Sequence, residues 1–168
     1  PLFYSTSFGG AYWVWMLLLV TFVLQAVSYE FQGKAGNLLG AKTYHRLLVL
    51  NGFAGPFIVG AAVGTFFTGS PFVVEKGAMG AAGTLVPAIS RWTGGWHGLE
   101  ALAEPMNLVL GFTVVFLART LGSLYLINNI DDSGLQPRLR RQVVIDALPF
   151  VLFFLTFAGL LLARGGFG

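Results

Sequence analysis

An all-α fold, a polytopic membrane helical bundle of about four transmembrane helices, is predicted by three features of the sequence. Hydrophobic residues fill 55% of the 168 positions and charged residues only 10%, too little polar surface to wrap a soluble core of this size. The apolar residues gather in four long runs separated by polar connections. Those runs lack the period-two alternation that a barrel strand with a wet lumen face would show, so the helix is the spanning element.

A hydrocarbon layer about 30 Å thick takes roughly 20 helical residues to cross. The four runs that meet this length are 10–29, 47–67, 107–127 and 145–163, and together they make a single membrane domain over 1–168. The second run is dense in glycine, at Gly52, Gly55, Gly60 and Gly64. Gly60 and Gly64 form a small-xxx-small pair, which lets a neighbouring backbone approach closely and predicts that this helix packs inside the bundle. Pro56 in the same run removes one helical hydrogen bond and predicts a kink. The start at Pro1 without a methionine, and the stop at Gly168 just after the fourth run, read as those of a piece of a longer subunit. No cleavable leader is expected, because the run from Ala11 is long and further spans follow it.

Lysine and arginine set the expected orientation. The connection after the first run carries Lys34, Lys42 and Arg46, and the one after the third carries Arg138, Arg140 and Arg141. The opposite side carries Lys76, Arg91 and Arg164. The richer side is expected in the cytoplasm, with Pro1, the segment 68–104 and Gly168 on the outer face. Trp92 and Trp96 then suit an aromatic belt in a surface loop. The net charge of +3 is scattered between apolar runs and makes no nucleic-acid footprint. Cysteine is absent, which excludes disulfides and thiolate-held iron–sulfur or zinc centres and leaves histidine and carboxylates as strong metal ligands.

Few polar residues lie within the runs. Arg119 sits near the middle of the third, where insertion into lipid costs roughly 2.5–3.5 kcal/mol; a carboxylate, a buried carbonyl, a group of a neighbouring subunit or the inner headgroups would offset that cost. Both a structural pair and a functional contact remain open for it. Glu30 closes the first helix at its cytoplasmic edge with Gln25 deeper in, which suits the mouth of a proton relay. The plainer reading is a solvated carboxylate paired with Lys34 at the favourable i,i+4 spacing. Asp146 has the same two readings, since the first turn of the fourth helix favours an acid through the helix dipole. His45 and His97 are the only histidines, and the topology puts them on opposite sides of the membrane. No haem or metal site is therefore expected from this chain alone. The run from Asn128 to Gly134 has oxygen ligands without the spacing of a calcium loop, and reads as a helix exit and turn. Nucleotide-binding glycine loops, nucleophile elbows and zinc-protease pairs do not occur, so no self-contained catalytic residue is expected.

Particular residues resemble a known family. Tyr4-Ser5-Thr6-Ser7-Phe8-Gly9-Gly10, Val27-Ser28-Tyr29-Glu30-Phe31-Gln32-Gly33-Lys34 and Gly64-Thr65-Phe66-Phe67-Thr68-Gly69-Ser70-Pro71-Phe72 are similar, in order and spacing, to segments of subunit II of the cytochrome bd ubiquinol oxidases. The stretch from His97 to Asp132, with Leu117-Ala118-Arg119 and Leu126-Ile127-Asn128-Asn129-Ile130-Asp131, resembles the branch of that subunit found in Bacteroidetes-type bacteria. The resemblance covers nearly the whole chain, while the family's opening helices, with acidic residues of its proton route, are missing.

The resemblance implies a haem-free subunit of the bacterial inner membrane, in a respiratory quinol:O2 oxidoreductase. Haem b, haem d and the quinol site are expected in subunit I, its partner. Subunit II is expected to support that partner and to help supply a proton route from the cytoplasm, a role that falls on Glu30. The family's Arg-Pro ahead of the glutamate is replaced here by Gln25-Ala26, and Arg119 is expected to compensate by sharing a polar contact with Gln25. Two other classes stay open: half of a transporter or channel, for which inverted internal similarity is not seen, and a purely structural assembly subunit.

Overall fold

A backbone surrounded by hydrocarbon has only itself to bond, so each apolar run closes its own hydrogen bonds as a helix. A computed structural model describes residues 2–34, 36, 38–74 and 90–165. A short helix α1 (Leu2–Gly10) breaks at Ala11 and leads into α2 (Tyr12–Phe31). Then come α3 (Ala41–Thr68), a hairpin of β1 (Phe72–Val74) and β2 (Ser90–Trp92), a 3₁₀ turn (Leu99–Leu102), α4 (Pro105–Asn129) and α5 (Gln136–Ala163). Helices α2 to α5 are each long and apolar enough to cross a membrane.

The four spans match the four apolar runs, with differences at their polar ends. Helix α3 begins at Ala41 and α5 at Gln136, ahead of the apolar stretches, because helical bonding continues through Lys42–Arg46 and Arg138–Arg141 after hydropathy has fallen. Helix α3 is unbroken across Pro56. The long helices alternate in direction and pack in chain order, α2 on α3, α3 on α4 and α4 on α5, so the bundle is an open row. Of α5, only Asp146 and Phe157 are buried; its other side chains face the surroundings in whole or in part. One end of the row carries Lys34 and Arg140 (the basic end), and the other carries the hairpin. Lys76 lies outside the described residues.

Helices α3 and α4 meet through glycine. A Cβ at Gly60 would lie 2.7 Å from Gly111 Cα and 2.7 Å from Leu110 O, and one at Gly64 would lie 2.9 Å from Asn107 Cα. These obstacles are backbone atoms, so the close approach depends on both glycines. Helices α4 and α5 meet through phenylalanine, with ring centroids of Phe112 and Phe116 5.4 and 5.8 Å from that of Phe153. Phe57 of α3 extends the series to Phe112 at 5.1 Å.

The hairpin end is tied together. The indole Nε1 of Trp92 donates to Gly9 O at 2.8 Å, pinning β2 to the end of α1. Asn107 at the start of α4 donates to Ala101 O and accepts from the Thr68 hydroxyl, both at 3.0 Å. Glu104 and Arg164 pair at 2.6 Å between the ends of α4 and α5. Gly98 has φ of 98°, left-handed backbone that favours glycine, and it leaves no room for a Cβ against Gly10 O and Tyr12 N at the α1–α2 break. A small core of Ala11, Val14, Ala62 and Ala101 fills the space below.

Glu100 locks this loop. Its carboxylate accepts from Trp96 N at 3.0 Å and from Gly98 N at 2.8 Å. Burial raises its pKa, but backbone N–H groups of Glu100 itself, Trp96 and Gly98, with the nearby His97, outweigh burial and hold the carboxyl below its ordinary value of 4.5. A group whose pKa is lowered by folding stabilises the folded loop fully above its unfolded value and loses that contribution as pH falls through the folded one.

Two outcomes follow from this packing. Gly60→Leu should lower the thermal midpoint of the purified protein by overpacking worth about 1–3 kcal/mol, whereas Gly159→Leu, where a Cβ would meet nothing within 4 Å, should not. Acidification from about pH 6 to about pH 3.5 should raise iodide quenching of Trp92 and Trp96. Glu100→Gln should remove that pH dependence, and a variant that keeps it would show that another group holds the loop.

Candidate functional site

Charge inside the membrane span is concentrated at one place. Arg119 lies about 3 Å past the midpoint of α4, at 1.5 Å per residue. Its Nε donates to Asp146 Oδ1 on α5 at 3.0 Å, and Asp146 Oδ2 accepts from Gln142 Nε2 at 2.9 Å. The guanidinium carbon stands 5.0 Å from the ring centroid of Phe53 on α3, a cation–π contact that joins a third helix to the pair. The Asp146 side chain is 3% exposed and that of Arg119 33%. Removing one member of such a pair leaves an uncompensated buried charge, at a cost of about 3–5 kcal/mol. Of the partners open to Arg119 on sequence grounds, the structure selects the carboxylate. Asp146 is thereby a buried ion-pair partner and not the first-turn acid expected from the sequence, because α5 begins ten residues earlier, at Gln136.

Gln25 belongs to a different contact. Its Oε1 accepts from Asn51 Nδ2 of α3 at 2.5 Å, so the contact expected between Gln25 and Arg119 is not formed. An ionised carboxylate is a stronger acceptor for a guanidinium than a neutral amide. The Gln25–Asn51 pair borders a groove of about 500 Å³ between α2, α3 and α4, edged also by Phe22, Gly52, Pro56 and Ala118. One turn closer to the basic end of α2, the Ser28 hydroxyl is buried with no hydrogen-bond partner among the described residues.

Glu30 stands at the basic end. It pairs with Lys34 at 2.5 Å across one helical turn, and its side chain is 61% exposed. The structure therefore contains the i,i+4 pair. Five positions at about 100° each set Gln25 and Glu30 about 140° apart around α2, so the two expected members of a proton route do not share one helix face. In the connection between α4 and α5, Asp132 Oδ1 accepts from Gly134 N at 2.7 Å and Leu135 N at 3.0 Å, the turn that the sequence predicts. His45 lies near the basic end of α3, and His97 in the loop at the hairpin end, its ring 4.9 Å from that of Trp92. Among the described residues, no three His, Cys, Asp or Glu side chains converge as a metal site. Asn51, Gln142 and Glu100 carry polar contacts that sequence reading does not single out. An amide in an apolar run is the only signal that Asn51 offers.

Comparison with known proteins agrees with this architecture. The model of the family described as cytochrome bd terminal oxidase subunit II matches residues 1–164. A curated relative, cytochrome bd ubiquinol oxidase subunit 2 of Bacillus subtilis (strain 168), is 28% identical over 71 residues, 42% of this chain and 21% of that protein. The matched stretch thus spans about a fifth of the relative's length. With four helices fit to span a bilayer and a family match over nearly its whole length, the chain belongs to the cytochrome bd terminal oxidase subunit II family and is a multi-pass protein of the bacterial inner membrane.

Proposed function

We propose that the chain forms part of the haem-free supporting subunit of a quinol:O2 oxidoreductase, docked on a haem-bearing subunit I and contributing to proton uptake from the cytoplasm. The observation that carries this reading is the family match over residues 1–164. The donor set supports the haem-free part. His45 and His97 lie at opposite ends of the helix row, so this chain does not offer two axial imidazoles to one iron. Haem b and haem d, bound in the partner, would supply electron transfer from quinol and reduction of O2. The residues of this chain position that partner and handle protons.

Glu30 is the proposed proton acceptor at the cytoplasmic mouth, on the side richer in lysine and arginine. Its carboxylate is exposed there and tethered by Lys34, which suits capture of a proton from water more than transfer deep in lipid. Inward passage would turn around α2 toward Ser28 and the Gln25–Asn51 pair, where buried polar groups and the groove give water a place to bind.

The test uses the full-length parent purified with its partners. Glu30→Gln should lower quinol-driven O2 uptake roughly a hundredfold, at the low end of what a proton-transfer group contributes, while haem absorbance stays unchanged. Unaltered turnover would leave a structural role for Glu30. A colourless preparation with no haem-bearing partner would remove the oxidase reading itself.

A further inference from the structure

We propose that Arg140 and Arg141, with the apolar face of α5 beneath them, bind an anionic phospholipid in the leaflet at the basic end of the row. The inference needs only a chain set in the bacterial inner membrane, and it stands apart from the oxidase reading. Its starting point is how the described cations are partnered. Arg164 pairs with Glu104, Arg119 with Asp146 and Lys34 with Glu30. The side chains of Arg138, Arg140 and Arg141 make no ion pair or hydrogen bond among the described residues, and all three residues are exposed. An acid lies close by in sequence, but Asp132 turns its Oδ1 to Gly134 N and Leu135 N. Three positive charges are left uncompensated within one turn of helix.

Their depth and direction point to lipid. The arginines stand just ahead of the apolar part of α5, at the level of the headgroups. Helical steps of about 100° spread them over about 160°, on the half of α5 turned away from Asp146. On that same half Val144, Leu148, Val151 and Leu155 lie within about 60° of one another, and they are 48% to 69% exposed. From Val144 to Leu155 the stripe rises about 16.5 Å, close to half of a hydrocarbon core of about 30 Å. One lipid of that leaflet thus has an apolar track for an acyl chain and cations at the top of the track.

Charge selects the headgroup. A guanidinium fork matches two phosphate oxygens, but a zwitterionic lipid brings its own cation and leaves the arginines unbalanced. An anionic phospholipid balances them. A helix from the rest of the subunit, packed through a face about 100° wide, would leave at least one of the three arginines facing outward. It would also need carboxylates at headgroup depth, where the membrane supplies phosphates already.

The test places a photoactivatable benzophenone side chain at Leu148 in the full-length parent, purified in detergent with its partners. The sample is irradiated with subsaturating phosphatidylglycerol or phosphatidylcholine carrying the same deuterated acyl chains, and adducts are identified by mass spectrometry. Phosphatidylglycerol should be the preferred adduct. The variant R140Q/R141Q should weaken its labelling about fivefold for each arginine removed, whereas Lys42→Gln, which removes a cation of α3 at the same end, should leave it unchanged. Equal labelling by the two lipids, full labelling of R140Q/R141Q, an equal loss in Lys42→Gln, or a crosslink to protein in place of lipid would each overturn the proposal. If the double variant does not assemble, Arg141→Gln and the lipid preference of the parent decide. The readout needs no haem, so failure of the oxidase reading leaves the result interpretable.

Discussion

Hydrocarbon accepts no hydrogen bonds, and the polar groups described in the four spans, the Ser28 hydroxyl excepted, are disposed accordingly. The hydroxyls of Thr113, Thr120 and Thr156 each donate 2.8 Å back to a carbonyl one turn earlier in their own helix. Gln25 and Asn51 satisfy each other between α2 and α3, and Arg119 and Asp146 do so between α4 and α5. Each helix pair thus has its own device: an amide pair for α2–α3, a glycine seam for α3–α4, and an ion pair with stacked phenylalanines for α4–α5. Apolar burial does little to hold the row closed, because lipid solvates leucine as well as another helix does.

The two ends of the row differ in construction, and this difference connects the fold to the proposed role. At the hairpin end Trp92, Gly98, Glu100, Asn107 and the Glu104–Arg164 pair bind α1, the hairpin and all four long helices into one unit. At the basic end Glu30 is largely uncovered, and the α4–α5 connection is stabilised by its own turn at Asp132. A cross-braced end suits a platform for a partner. An open end with an exposed carboxylate suits exchange with water.

The spans are legible in the sequence because membrane thickness fixes the length of an apolar helix and the four runs meet it. Their starts at Ala41 and Gln136 are not, since hydropathy records where hydrocarbon ends and helical bonding continues into the headgroup layer. Helix α1 and the hairpin are hidden for another reason: each is short, and the hairpin end is held by contacts such as Trp92 on Gly9, between residues far apart in the chain. Of the candidate site, the Glu30–Lys34 pair follows from spacing on one helix. Arg119 is conspicuous by its cost, but its partner depends on the register of α5 against α4, which no local pattern encodes. For the same reason Gln25 pairs with Asn51 and not with Arg119. The family is legible only through motif resemblance, since composition and topology stop at a helical membrane protein.

The placement of Glu30 and of the Arg119 pair depends on the row crossing a bilayer with both basic connections on one side. The chain has no cysteine of its own, so single cysteines in place of Lys34 and of Arg140 can be labelled with an impermeant maleimide in sealed vesicles of one orientation. Both should react only when the cytoplasmic face is outward; reaction of the two from opposite faces would contradict the topology and remove Glu30 from the inner mouth.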